Sequence, residues 1–419
     1  MKENGKTIYV YDDFSEDTPV FLGTLYSNTI RGKETYSFEY DKNWLTKTNF
    51  NLTIDPGILT IEGIQYPDNE ELFGVFKDTS PDRWGRTLMN RRERILAAKQ
   101  GRKPAKLYET DYLLGVSDEI RVGGIRFKFD KDGQFISDDD KTPVPPWTTL
   151  RYLEDASVNY EKDENSLNEK WLKQLIKPGS SLGGARPKAT VKDPDGNLWI
   201  AKFPSKNDEN DTGAWEMVAH DLAVLCGLNV PEARLEKFSS LGSTFLVKRF
   251  DRFKNKRIHF ASAMTLLKKS DGSGSADGVS YTDIADFIKS YGSDPKNDLL
   301  ELWKRIVFNM AITNSDDHLR NHAFILQKEG WKLSPAYDIN PVPYGNELSL
   351  NVDEYDNTID INLPINISPK FGINTNDAKN YADEILDIVK NNWKDLAIKY
   401  GITHKQTEDM RPAFQVCYK

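Results

Sequence analysis

Three short segments near the start of the chain, "TIYVYDD", "PVFLGTLYS" and "ETYSFEYD", are rich in Tyr, Phe, Val and Thr and are parted by polar turn residues. That pattern predicts strands of an antiparallel sheet. A helix is expected in "FKDTSPDRWGRTLMNRRERILAAKQ", with Ser80 as N-cap, Pro81 first in the helix and Asp82 in the first turn, where a carboxylate meets the positive end of the dipole. Arg91, Arg92 and Arg94 read as a solvated face of it. "YLLGVSDEIRVGGIRFKFD" returns to strand character. The acidic, proline-containing "DKDGQFISDDDKTPVPPW" then has the composition of a linker.

Beyond it, "KATVKD" and "LWIAKF" flank the turn signal "DPDGN", which predicts a β-hairpin led in by the glycine-containing loop "SSLGGARPK". In "TGAWEMVAHDLAVLCGLNVP" the apolar positions recur at helical spacing and stop at Gly227 and Pro231. "EARLEKF" and "STFLVKRFD" read as two more strands, and the patterns after residue 280 are mainly helical. The expected organisation is an N-terminal strand-rich domain at 1–135, a linker at 136–168, a strand-rich lobe at 169–250 and a helical lobe at 251–419: a bilobal α+β layout.

Composition removes several function classes. The 419 residues are 38% hydrophobic, which is ample for folded domains with real cores. A net charge of -8 supplies no basic field for non-specific nucleic-acid binding, so contact with DNA is expected only through a partner. Two distant cysteines indicate no disulfide framework, and Cys226 reads as a small buried hydrophobe. Neither a signal peptide nor an apolar run of membrane-spanning length is evident, so a soluble protein of a reducing cytoplasm, off the membrane, is expected.

Residues 313–326, "TNSDDHLRNHAFIL", crowd acid, amide and imidazole groups ahead of a strand. Phosphoryl transfer from a nucleotide needs a phosphate cradle, a cation on the phosphates, a carboxylate for the acceptor hydroxyl and ligands for magnesium. Asp316 and Asn321 stand at the Asp-x4-Asn spacing of a protein-kinase catalytic loop, and Asp338 in "LSPAYDINP" follows one hairpin later. Two carboxylates about 4 Å apart repel by about 4 kcal/mol at an effective dielectric near 20, a cost that a divalent cation between them removes. Asp317 competes for the catalytic role, and spacing to Asn321 favours Asp316. Lys202 ends the strand "WIAK" in the place of a phosphate-contacting lysine. Glu216, placed in the first turn of the next helix, is its expected ion-pair partner, with Glu209 a rival and an ordinary first-turn acid the bland alternative. Gly183 and Gly184 would let backbone amides approach phosphates, although the loop does not match G-x-G-x-x-G. His318 and His322 lie four apart, but in a polar loop without a third ligand; His322 reads as simply entering the strand.

These residues, together with "GVFKDTSPDRWGR", "LLGVSDEIRVGGIRF", "SLGGARPKA", "AKFP", "LVKRFDR", "RIHFASAMTLL", "NSDDHLRN" and "AYDINP" in family order along nearly the whole chain, resemble the HipA toxins. These are bacterial serine/threonine kinases of type II toxin-antitoxin systems. The resemblance implies a protein-kinase-like fold related to the phosphoinositide kinases, with an added N-terminal domain. It implies ATP and Mg2+ as cofactors, Asp316 as catalytic residue, His318 as the histidine that structures the loop, Asn321 and Asp338 as magnesium ligands and Lys202 as the ATP-binding lysine. Gly183, Gly184, Ala185 and Lys188 belong to the implied nucleotide loop. Ser181, or its neighbour Ser180, falls where family members carry an autophosphorylated serine, which would set phosphate charge where ATP phosphates belong. Arg186 and Pro187 stand where the best-known members have Gln-Glu. The implied partners are a protein substrate and a small helix-turn-helix antitoxin, HipB-like, that brings the kinase to operator DNA. Two other readings stay open: a small-molecule or lipid-type kinase, since "DDHLRN" also fits Asp-x-His-x-x-Asn, and a catalytically silent corepressor.

Overall fold

A computed structural model describes residues 4–47, 53–68, 71–136, 144–162, 170–179, 184–254 and 256–419. The chain divides into two compact units: residues 1–207 with 248–261, and residues 208–247 with 262–419. The strand carrying Lys202 therefore groups with the N-terminal half, where the sequence reading had placed a boundary at 136–168.

The first unit opens with β1 (Asn4–Asp12), β2 (Val20–Ile30) and β3 (Lys33–Tyr40), the three expected strands. α1 (Lys42–Lys47), β4 (Ile64–Gln65), α2 (Gly74–Asp78), α3 (Arg83–Lys99), α4 (Glu109–Leu114) and β5 (Ile125–Lys128) follow. The sheet runs β4-β3-β2-β1-β5, and every pairing in it is antiparallel. Alternate residues Ile8 and Val10 of β1 and Leu25 and Phe38 of the neighbouring strands are fully buried, in one cluster with Phe76 and Leu113. Each such side chain contributes roughly 1.5–3 kcal/mol by leaving water. At Gly23 a Cβ would meet the Glu39 carbonyl at 2.3 Å, so only glycine allows that approach between β2 and β3.

Four local expectations are corrected here. The N-cap of α3 is Asp82, whose Oδ1 accepts from the Arg83 amide at 2.7 Å, while the Ser80 hydroxyl donates to the Phe76 carbonyl at the end of α2. Arg91 is not on a solvated face: it is buried, its guanidinium lies 4.3 Å from the Tyr160 ring centroid, and Nη1 donates to the Tyr160 carbonyl. "YLL" ends helix α4 rather than beginning a strand; the Asp111 side chain caps the Tyr108 amide and turns the segment helical. The stretch taken as linker carries α5 (Leu150–Lys162), whose Ala156 and Tyr160 pack with Trp84 and Leu88 of α3 and Leu172 and Leu175 of α6 (Lys170–Gly179). An amphipathic run can sit beside a linker composition, and burial of one face is what decides it.

β6 (Lys188–Lys192) and β7 (Leu198–Lys202) form the predicted hairpin around Asp193–Gly196. The second unit begins with α7 (Thr212–Leu225), capped by Asp211, then β8 (Ala233–Glu236) and β9 (Thr244–Lys248). The chain rejoins the first unit for the short hairpin β10 (Arg252–Phe253) and β11 (Lys256–Arg257). β12 (Phe260–Ser262), α8 (Ala263–Leu266), α9 (Tyr281–Tyr291), α10 (Pro295–Ala311), β13 (Ala323–Gln327), β14 (Gly330–Leu333), α11 (Asn362–Ile367), α12 (Thr375–Lys399) and α13 (His404–Met410) complete the chain. Among the described residues no helix is long and apolar enough to cross a membrane.

Candidate active site

In the second unit the polar loop hangs between α10 and β13. Thr313, just past the end of α10, takes a positive φ of 51°, which a β-branched residue rarely adopts. Its hydroxyl donates to the Ala413 carbonyl at 2.7 Å and holds it there. Asn314 turns back onto α10, its amide donating to the Asn309 carbonyl and its Nδ2 to Asn309 Oδ1. Gly345 lies close by: a Cβ there would stand 2.8 Å from Thr313 Cγ2 and 3.0 Å from Ser315 Cβ.

The two adjacent aspartates then part company. Asp317 is buried, and its Oδ2 accepts from Tyr281 Oη at 2.7 Å and Asn309 Nδ2 at 2.6 Å, with His322 Nε2 at 2.8 Å. Burial alone would push this carboxyl up, but His322 and the hydrogen bonds from His322 and Tyr281 outweigh it and hold it below the usual range. Burial and the neighbouring Asp317 push the Tyr281 phenol well up, so Tyr281 stays a donor. Asp316 is exposed. Asn321, buried, folds back so that Nδ2 donates to the Asp316 carbonyl at 3.0 Å, which leaves its side-chain oxygen as the acceptor for a cation.

His318 is half-buried, and its backbone shapes the turn: its amide donates to the Asp316 carbonyl and its carbonyl accepts from the Asn321 amide at 2.8 Å. The imidazole that bonds Asp317 is that of His322, which the sequence reading had dismissed as merely entering the strand. The i, i+5 pairing of Asp317 with His322 was visible, but only the fold shows that both are buried. With Nε2 committed to Asp317, His322 is a scaffold residue. Asp338, half-buried, sits at φ 59° in the left-handed region, and the preceding Tyr337 donates its hydroxyl to the Arg320 carbonyl at 2.6 Å. That bond ties the Asp338 segment to the residue before Asn321. A carboxylate and an amide oxygen, as on Asp338 and Asn321, are the hard oxygens that magnesium takes, although among the described residues no cluster of three His, Cys, Asp or Glu side chains is placed to hold a metal.

In the first unit, Lys188 and Lys202 are paired directly across β6 and β7, so both side chains leave the same face of the hairpin, and both are buried. Gly184 has a φ of +84°, and a Cβ on it would stand 2.8 Å from Lys188 Nζ. The positive φ favours glycine there, while the contact itself is with the flexible end of a lysine. Ala185 is exposed, and the Arg186 Nε–H donates to the Phe203 carbonyl at 3.0 Å, which fixes the departure from Gln-Glu into the hairpin end. Ser180, Ser181 and Gly183 lie outside the described residues.

Asp82, the cap of α3, and Trp84 in its first turn hold this loop; the sequence reading gave Asp82 only a helix-starting role and Trp84 none. Asp82 Oδ2 accepts from the Gly184 amide at 2.5 Å; the Trp84 amide donates to the Gly184 carbonyl and Trp84 Nε1 to the Lys188 carbonyl. Asp82→Ala is expected to cost about 1 kcal/mol of stability through the lost cap and, on the kinase reading proposed below, to raise the KM for ATP several-fold with less change in kcat. Denaturant melts and steady-state kinetics read the two effects separately; an unchanged KM would leave Asp82 a cap only.

Glu216 is buried on α7, whose N-cap is Asp211, so it is the fifth helical residue rather than a first-turn acid. The helix dipole does not account for it there, since that effect fades within the first turn. Glu209 stays in the loop before the helix.

Residues 180–393, just over half of the chain, match the model of the HipA-like C-terminal domain. The chain belongs to the HipA-like family. Two curated relatives align with it: "Putative kinase Y4mE" of Sinorhizobium fredii, 29% identical over 33% of this chain, and a "Putative kinase" of Haemophilus influenzae, 29% identical over 41% of it. The matches span a third of the first relative's length and 56% of the second's. Among solved structures, Shewanella oneidensis HipA, in a complex with HipB and operator DNA, aligns with a TM-score of 0.68 at 16% identity, over 98% of this chain and 96% of that one. That likeness speaks for the fold. The HipA-like chain thus has the kinase-like α+β fold expected for it, with the N-terminal sheet included in the match.

Proposed function

We propose that this HipA-like chain is an ATP- and Mg2+-dependent serine/threonine protein kinase. The observation that carries the reading is the division of labour between Asp316 and Asp317: three side chains lock Asp317, and the loop so fixed presents Asp316 to solvent. A catalytic base needs both properties, a rigid mount and access to its substrate. In the proposed reaction the acceptor hydroxyl oxygen forms a bond to the γ-phosphorus, the bond from that phosphorus to the β,γ-bridging oxygen breaks, and ADP leaves. Asp316 orients the hydroxyl and receives its proton. Lys188, Lys202 and the Gly184 loop, with Ala185, act on the phosphates; Asn321 and Asp338 supply oxygens for magnesium, which neutralises charge on the triphosphate when bound. Glu216 is the candidate ion-pair partner of Lys202.

Autophosphorylation on Ser181 or Ser180 is part of the proposal, as is a helix-turn-helix antitoxin partner. The net charge of -8 supports leaving DNA affinity to that partner, and HipA of Shewanella oneidensis is seen with HipB and operator DNA. Incubation with γ-labelled ATP, with and without magnesium, together with protein extract or small hydroxyl acceptors, tests the reading. Magnesium-dependent label on protein is the expected result. Label only on small acceptors would move the assignment to a small-molecule kinase, and no transfer at all would sink it in favour of a silent corepressor.

A further inference from the structure

Away from the residues assigned above, the first unit holds a cavity of about 390 Å³ at the turn of the β6–β7 hairpin, lined by seven cationic side chains and only two acidic ones. Its volume falls in the range of small-molecule sites. The wall is rigid. Asp118 pairs with Arg126 at 2.5 Å and Arg257 at 3.2 Å, and Asp251 pairs with Arg249 and Arg252, each at 2.7 Å. Asp13 reaches Arg126 and Arg257 at 3.2 and 3.3 Å. Three carboxylates are thus divided among four guanidiniums. Behind them Arg121, fully buried, donates to the carbonyls of Thr79, Leu113 and Val116. The acids fix the arginines in place without matching their charge. Lys192, paired with Glu119 at 2.9 Å, and Lys248 and Lys254 complete the lining.

Such an arrangement is costly by itself, because like charges held together in a partly desolvated wall repel. Burial, joined by repulsion from neighbouring arginines, accordingly depresses the pKa of Arg252 and Arg257. The guanidinium forks are spent on Asp118, Asp251 and the carbonyls of Ile120, Arg121 and Gly123, so they set a positive field; a multivalent anion such as phosphate relieves that repulsion and can draw on Lys248 and Lys254. Concavity points to a compact ligand: nucleic-acid sites are extended tracks that follow a backbone.

We propose that this cavity binds a pyrophosphate group, free or carried by a nucleotide, at a site separate from Lys188 and Lys202. The proposal stands whether or not the chain is a kinase. Calorimetric titration of the intact protein with inorganic pyrophosphate, without magnesium, tests it in the wild type, in Lys202→Ala and in the double variant Lys248→Ala/Lys254→Ala. Binding should persist in Lys202→Ala and weaken at least tenfold in the double variant. Lys254→Gln alone, at an exposed turn where misfolding is not at issue, should weaken it about threefold, a loss that 0.5 M salt should imitate. ADP binding more tightly than pyrophosphate in Lys202→Ala would identify the nucleotide as the source. Loss of binding in Lys202→Ala, wild-type affinity in the lysine variants, or tighter binding of duplex DNA at equal phosphate concentration would each overturn the proposal.

Discussion

Asp316→Asn is expected to lower phosphoryl transfer by roughly 10²- to 10⁴-fold, the usual share of a general base, while leaving the free energy of unfolding within about 0.5 kcal/mol of wild type. Both halves of the expectation come from geometry. The Asp316 side chain is exposed, so an amide of the same size disturbs no packing. What holds Asn321 is the Asp316 backbone carbonyl, which the substitution keeps. An amide cannot take the acceptor proton or attract a developing charge, and so the loss falls on kcat rather than on nucleotide affinity. Kinetics of wild type and variant on a labelled acceptor, beside denaturant melts, check this; wild-type kcat in Asp316→Asn would remove the residue from the mechanism.

Asp317→Ala is expected to fail differently, by destabilising the second unit by about 3–5 kcal/mol. The substitution leaves Tyr281 Oη, Asn309 Nδ2 and His322 Nε2 in the interior without the acceptor they share, and each buried unpaired group carries a desolvation penalty. Since α9, α10 and the start of β13 all meet at this one oxygen, activity should be lost along with stability. Asp317→Asn keeps the volume and separates charge from packing. Because the folded carboxyl lies below the ordinary carboxylate range, its stabilisation is fully present above that range and is lost as pH falls through the lowered folded value. The Asn variant should therefore lose stability at neutral pH and converge on wild type in acid. Melts between pH 7 and pH 3 measure that gap; a constant difference across the range would show that the charge of Asp317 contributes nothing.

The two neighbouring aspartates also show how far the residues alone could be read. Spacing to Asn321 favoured Asp316 over Asp317 for the catalytic role, and the fold leaves Asp316 exposed and Asp317 buried. The role of Asp317 was not legible: its three partners come from positions 281, 309 and 322, and no local rule joins them. His322 was underrated for the same reason. On the hairpin, the "DPDGN" turn and the alternation around it were enough to place Lys202 at the end of a strand. That Lys188 faces it depends on register, which pairing sets.

The chain's own residues thus determined the strands β1–β3, the β6–β7 hairpin with a lysine at its end and the helix α7, and that the polar loop would hold an acid and an amide five positions apart. These follow from periodicity, turn chemistry and spacing, all short-range. Tertiary structure alone decided which side chains lie buried. It made Asp82 a clamp on the Gly184 amide as well as a helix cap, turned Arg91 inward and withdrew Asp317 from solvent. Burial depends on contacts between segments tens to hundreds of residues apart, and the cost of burying charge then fixes which polar groups must find one another.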